Sequence, residues 1–68
     1  MFKKTFVFKG CVLSNNRVVC DCRNNPVVTQ AVTLAQAKSY IGYRIRRDRL
    51  HVVNNFPIVL DGVIEEVR

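Results

Sequence analysis

The 68 residues contain no run of about 18 apolar residues, so no membrane-spanning helix is expected. The first nine residues, Met1 to Lys9, are basic and partly apolar. Lys9 and Gly10 interrupt them before the roughly 7–15 apolar residues that a secretory signal needs, and no signal is expected. There is no Asn-x-Ser/Thr acceptor for glycosylation. The parts of an active site are also scarce. The chain has one histidine, His51, and two serines, Ser14 and Ser39, neither in a nucleophile motif. It has no glycine-rich phosphate loop. Glu65 and Glu66 are adjacent on an expected strand and so face opposite sides, which does not suit an acid/base pair. The expectation is a protein that is not an enzyme and uses no cofactor.

The cysteine set is odd. A small secreted scaffold usually has an even number of cysteines, and this chain has Cys11, Cys20 and Cys22. Free thiols in a reducing cytoplasm are the simpler reading. With His51 the three make a Cys₃His zinc inventory, but Cys20-Asp21-Cys22 is a Cys-x-Cys on a strand and not a Cys-x₂₋₄-Cys knuckle. Three small thiols filling a core face are expected, with no metal.

What remains describes a folded domain. The residues are 49% apolar and 24% charged, ordinary for a globular chain, and residues 1–68 are read as a single α+β domain. A domain of this length buries only about 60% of the surface that its unfolded chain exposes, so its core is thin. Lys4 to Leu13 and Arg17 to Arg23 read as two strands joined at Asn15-Asn16, which tolerate the positive φ of a tight hairpin. A two-residue turn pairs Leu13 with Val18 and Cys11 with Cys20. That register sets Val7, Cys11, Leu13, Val18, Cys20 and Cys22 on the face expected to meet the helix. Phe6, Phe8, Val12 and Val19 then lie on the other face with Arg17, Asp21 and Arg23. Pro26 ends the hairpin, and Val27 to Val32 is either a short edge strand or an extended connection.

Thr33-Leu34-Ala35-Gln36 is a capping box that opens a helix from Leu34 to about Arg47. Leu34, Ala37, Ile41 and Ile45 form its apolar stripe. Gly42 in mid-helix costs about 1 kcal/mol relative to Ala. Asn54-Asn55 and Pro57 mark a connection, and Ile58 to Val67 a last strand with a bulge or turn at Asp61-Gly62. The expected fold is ββαβ, a small three-stranded antiparallel sheet of order 2-1-3 with one helix on one face.

Charge carries the functional expectation. The formal net charge is +6, and Arg44 to Arg49 hold four arginines and one aspartate. Arg46, Arg47 and Tyr43 lie away from the apolar stripe, Arg44 flanks it, and Arg49 follows. Such a surface suits phosphate, because guanidinium offers a planar fork to its oxygens. Phe6 and Phe8 between Arg17 and Arg23 on an open sheet face would add a platform for stacked bases, unless the rings are buried. The leading expectation is a small basic accessory protein, cytoplasmic, that binds nucleic acid through its arginine-rich helix. The alternative is a protein-interaction module or inhibitor, phage- or plasmid-encoded, that contacts another protein or a second copy of itself.

Overall fold

The computed structural model of the protein describes residues 2–53 and 55–67. Met1, Arg68 and the Asn54 position of the expected connection lie outside these residues. The fold is α+β. Strands β1 (Lys4–Phe8), β2 (Cys11–Ser14), β3 (Arg17–Asp21) and β4 (Val27–Ala31) precede helix α1 (Leu34–Arg44). A π-helical turn, Ile45–Leu50, continues the helix, and strands β5 (Val59–Asp61) and β6 (Ile64–Val67) close the described chain. The strands form two antiparallel three-stranded sheets, of order β4-β1-β6 and β3-β2-β5.

The expected single sheet of three strands is therefore corrected to two sheets of three. In each, the segment from the first expected strand lies in the middle. The physical reason is a bend that two long paired segments share. β1 and β2 are separated only by Lys9 and Gly10, and β5 and β6 only by Gly62 and Val63. The pairing runs Thr5↔Val67 to Phe8↔Ile64 and resumes as Cys11↔Asp61 to Leu13↔Val59 without a slip. That register sets Gly10 opposite Gly62. The two backbones approach so closely that a Cβ on Gly10 would meet the Asp61 carbonyl and come within 2.9 Å of both the Gly62 Cα and the Phe8 ring. Gly62 has φ +149°, which L side chains rarely adopt. Asp61-Gly62 is thus neither a hairpin turn nor a bulge but a bend matched by one in the neighbouring strand.

The other flank is less regular. Asn15 and Asn16 have φ of 53° and 63°, as a tight hairpin of this kind requires. Leu13 pairs with Val18 as the turn dictates, but Val12 then pairs with Cys20 and Cys11 with Asp21. Val19 is an extra residue in β3, and the expected Cys11–Cys20 pair does not form. A bulge reverses the alternation of side chains beyond it. Cys20 and Cys22 therefore join Phe8 and Val12 on the inner face, while Cys11 stays on the outer one. The face assignment inverts with it: the helix covers the phenylalanine face. Phe6 is 3% exposed and Phe8 0%. Val27 to Ala31 is an edge strand against β1, with Val27, Thr29 and Ala31 turned inward.

The helix begins where the sequence places it. The Gln36 N–H donates to Thr33 Oγ1 at 3.1 Å, and Gln36 Oε1 accepts from the Val32 N–H at 2.8 Å. Ala37, Ile41 and Ile45 are fully buried, but Leu34 is 55% exposed and leaves the expected stripe. α1 packs mainly on β4. Ile41 and Ile45 close over Phe8, Val12, Cys22 and Val27, with Leu50, Ile58, Leu60 and Ile64 at the margin. The π turn widens the spiral so that Ile45 and Leu50, five residues apart, both reach this core. Each fully buried large side chain contributes about 1.5–3 kcal/mol.

Because Gly10 has no room for a methyl group, Gly10→Ala is expected to destabilise the fold by about 1–3 kcal/mol or more. Urea denaturation followed by circular dichroism measures this, and a loss under about 0.5 kcal/mol would show that the strands separate freely at the bend.

Candidate nucleic-acid interface

The four helix-end arginines do not project as one solvated stripe. The π turn fans them out, and each finds an acceptor. Arg44 Nη1 donates to the Val28 carbonyl at 2.8 Å, tying the helix end to β4. Arg46 is half-buried and folds back over Gly42, where a Cβ would stand 3.1 Å from its Nη1. Its Nε donates to the Phe56 carbonyl at 2.6 Å. Arg49 donates to the Asn25 carbonyl at 2.8 Å and the Pro26 carbonyl at 3.3 Å. Arg47 pairs with Asp48 through two bonds of 2.6 and 2.9 Å and lies over the Tyr43 ring, 5.2 Å from its centroid.

These acceptors share a cause. Carbonyls at the Asn25-Pro26 and Phe56-Pro57 connections have no place in a strand ladder and are free to accept from side chains. Arg49 serves Asn25 and Pro26, Arg46 serves Phe56, and Ser14 Oγ donates to the Pro57 carbonyl at 3.1 Å. The two prolines were the available signal for this, since each marks a connection whose carbonyls leave the ladder. Their partners were not legible, because the contacts span up to 43 residues.

Arg44 and Arg49 both line a depression of about 220 Å³, together with Pro26, Val27, Val28 and Asp48. Arg47 joins this cluster through Asp48. Arg46 lines a different groove of about 400 Å³, with Lys38, Ser39, Gly42, Ile58, Val59 and Leu60. Arg17 is exposed next to the hairpin turn. Arg23 grips Asp21 with bonds of 2.7 to 3.2 Å, and its own N–H donates to the same carboxylate at 2.9 Å. The side-chain bonds from Arg23, then its backbone N–H, hold the Asp21 carboxyl at about 2. Asp48 is likewise lowered, chiefly by its bond from Arg47. Both acids stay ionised and paired at neutral pH.

The structure therefore brings together Arg44, Arg47, Arg49 and Tyr43, and leaves Arg46, Arg17 and Arg23 apart from them. Phe6 and Phe8 are corrected outright. They are core rings under α1, closed in by Ala31, Ala37, Val27 and Ile41, and no base can stack on them. Among the described residues, no three of His, Cys, Asp and Glu gather as a metal site. No described helix is long and apolar enough to cross a membrane. No protein-family model, curated protein or solved structure matches this chain.

The sequence alone treats Arg46 and Arg47 alike, as exposed charges. The structure separates them. Arg46→Gln is expected to cost about 1.5–3 kcal/mol, the worth of a hydrogen bond from a charged donor at a partly buried site. Arg47→Gln is expected to cost no more than about 0.5 kcal/mol, as its ion pair is exposed. Equal losses for the two variants in thermal or urea unfolding would contradict the assignment.

Proposed function

We propose that this protein is a small, non-catalytic accessory protein that binds nucleic-acid phosphates through the arginines at the end of its helix. One observation carries the reading. Arg44, Arg46 and Arg49 are held by main-chain carbonyls and not by carboxylates. A carbonyl fixes a guanidinium in place without cancelling its charge. Two of the three, Arg44 and Arg49, share one depression. Positioned cations of this kind bind an anion with less loss of side-chain freedom than mobile ones. Arg47, stacked on Tyr43 beside them, has its charge offset by Asp48. With Phe6 and Phe8 in the core, the mode proposed is backbone contact without base stacking on the sheet, and hence with little sequence preference.

Fluorescence anisotropy against labelled RNA, single-stranded DNA and duplex DNA at two salt concentrations tests this. Arg44→Gln and Arg49→Gln keep a donor while removing charge from the two carbonyl-held arginines of the shared depression. Each is expected to weaken binding at low salt and to shrink the salt slope on duplex DNA by about one. Wild-type protein that binds none of the three at low salt removes the proposal.

A second reading, contact with another protein or a second copy, has its own support. The outer face of the sheets is uncovered. Register aligns Val18, Leu13 and Val59 across β3, β2 and β5, and Val18 and Val59 are 61% and 62% exposed. Val28 and Val67 extend this face on β4 and β6. Its paired strand positions carry Asp21, Asp61 and Glu65, of which Asp21 is paired with Arg23, in a chain of net charge +6. Two copies meeting here would keep their helix-end arginines about 30 Å apart, some three Debye lengths at 0.1 M salt. Sedimentation equilibrium at high protein concentration should then show twice 7.8 kDa, with Val18→Lys and Val59→Lys returning the monomer. A mass of 7.8 kDa throughout excludes the second copy.

A further inference from the structure

The bulge at Val19 leaves two of the three thiols together on the inner face, one half-buried and one fully buried. The Sγ atoms of Cys20 and Cys22 lie 3.9 Å apart. The backbone at Cys22 is fixed by its N–H bond to the Gly10 carbonyl, 2.9 Å long. Arg49 Nη1 stands 3.8 Å from the Cys22 sulfur. The same guanidinium is anchored on the Asn25 and Pro26 carbonyls and cannot swing away without breaking those bonds. A neutral thiol gains little from a guanidinium at that distance, whereas a pair of thiolates would gain a counter-charge. We propose that Cys20 and Cys22 form a dithiolate site for a soft monovalent metal ion, copper(I) being the physiological member of that class.

The geometry and charge fit this class. With metal–sulfur bonds of about 2.3 Å, sulfurs at this spacing subtend roughly 115–120° at the ion, the angle of a trigonal site. Thiolate pairs select soft ions such as copper(I). The third position falls to a small neutral external ligand, such as an imidazole, which leaves the charge of the dithiolate site unchanged and is reached from the half-exposed side of Cys20. A four-coordinate zinc site would need two further protein ligands, and no such group gathers among the described residues. On binding, both S–H bonds release their protons to solvent, two metal–sulfur bonds form, and the ion keeps its oxidation state. The dithiolate with one monovalent ion carries a charge of −1, which Arg49 balances. Burial pushes the Cys22 thiol up to about 11, so its proton is present at neutral pH and must be displaced.

The test is an anaerobic titration of the full chain with copper(I) against ferrozine, a moderate chelator of that ion. One equivalent should be withheld from the chelator. Cys20→Ser is expected to lower the affinity by more than about a hundredfold, beyond the loss typical of an outer-shell partner, and Arg49→Gln by about tenfold. Cys11→Ser should bind as the wild type does. Cys22→Ser is interpreted only alongside a native circular dichroism spectrum, and the half-buried Cys20 variant carries the test where that core variant unfolds. No copper withheld by the wild type, full affinity in Cys20→Ser, or loss of affinity in Cys11→Ser would each overturn the proposal.

Discussion

The approach of Gly10 to Gly62 is the constraint on which the rest of the fold depends. Two long antiparallel strands bend together there because neither carries a side chain at the point of contact. The Phe8 ring lies directly beneath, 2.9 Å and 3.3 Å from where the two missing Cβ atoms would stand. It is the largest fully buried side chain. The bend lets one short helix and its π-helical end cover both sheets. Ala37 packs with Phe6 and Ala31 over one half, and Ile41 and Ile45 pack with Phe8 and Val12 toward the other. A flat three-stranded sheet of this length would extend beyond the reach of an 11-residue helix, which spans only about 16 Å.

Arginine has a second office in this small protein. With few residues to spare for regular structure, two proline connections leave carbonyls outside the strand ladders, and guanidinium groups from the helix end satisfy them. Lysine would serve less well, since a single ammonium cannot span the Asn25 and Pro26 carbonyls with a planar fork. The basic character of the chain is thus partly architectural. The same contacts hold the charges in place without neutralising them, so structure and the proposed phosphate binding draw on one set of side chains.

Local signals in the sequence held where the interaction was local. Thr33 and Gln36 lie three residues apart, and their bond forms as their chemistry dictates. Asn15 and Asn16 take the positive φ that their side chains tolerate. Periodicity placed Ala37, Ile41 and Ile45 inside. It misplaced Leu34 because the first turn of α1 leaves its side chain largely open to solvent. The hairpin faces were inverted for a different reason. Val18 and Val19 are both β-branched and apolar, so nothing in their chemistry marks which of them is the extra residue. One unpaired residue was enough to move Cys20 and Cys22 to the opposite side from Cys11. The arginine cluster was legible as composition, but its acceptors were not, since Arg49 meets residues 23 and 24 positions away.

The π-helical turn can be viewed as an α-helix that holds one residue too many. Such a turn tolerates neither loss nor gain within it, although it lies near the surface. Removing a residue between Arg46 and Asp48 would restore regular helical winding and rotate everything downstream by about 100°. Leu50 would leave the core and Arg49 would leave the carbonyls of the Asn25-Pro26 connection. The left-handed stop at His51, φ 54°, would no longer aim the chain back toward β5. The length of this segment, more than the identity of any one of its arginines, is what evolution would be obliged to keep.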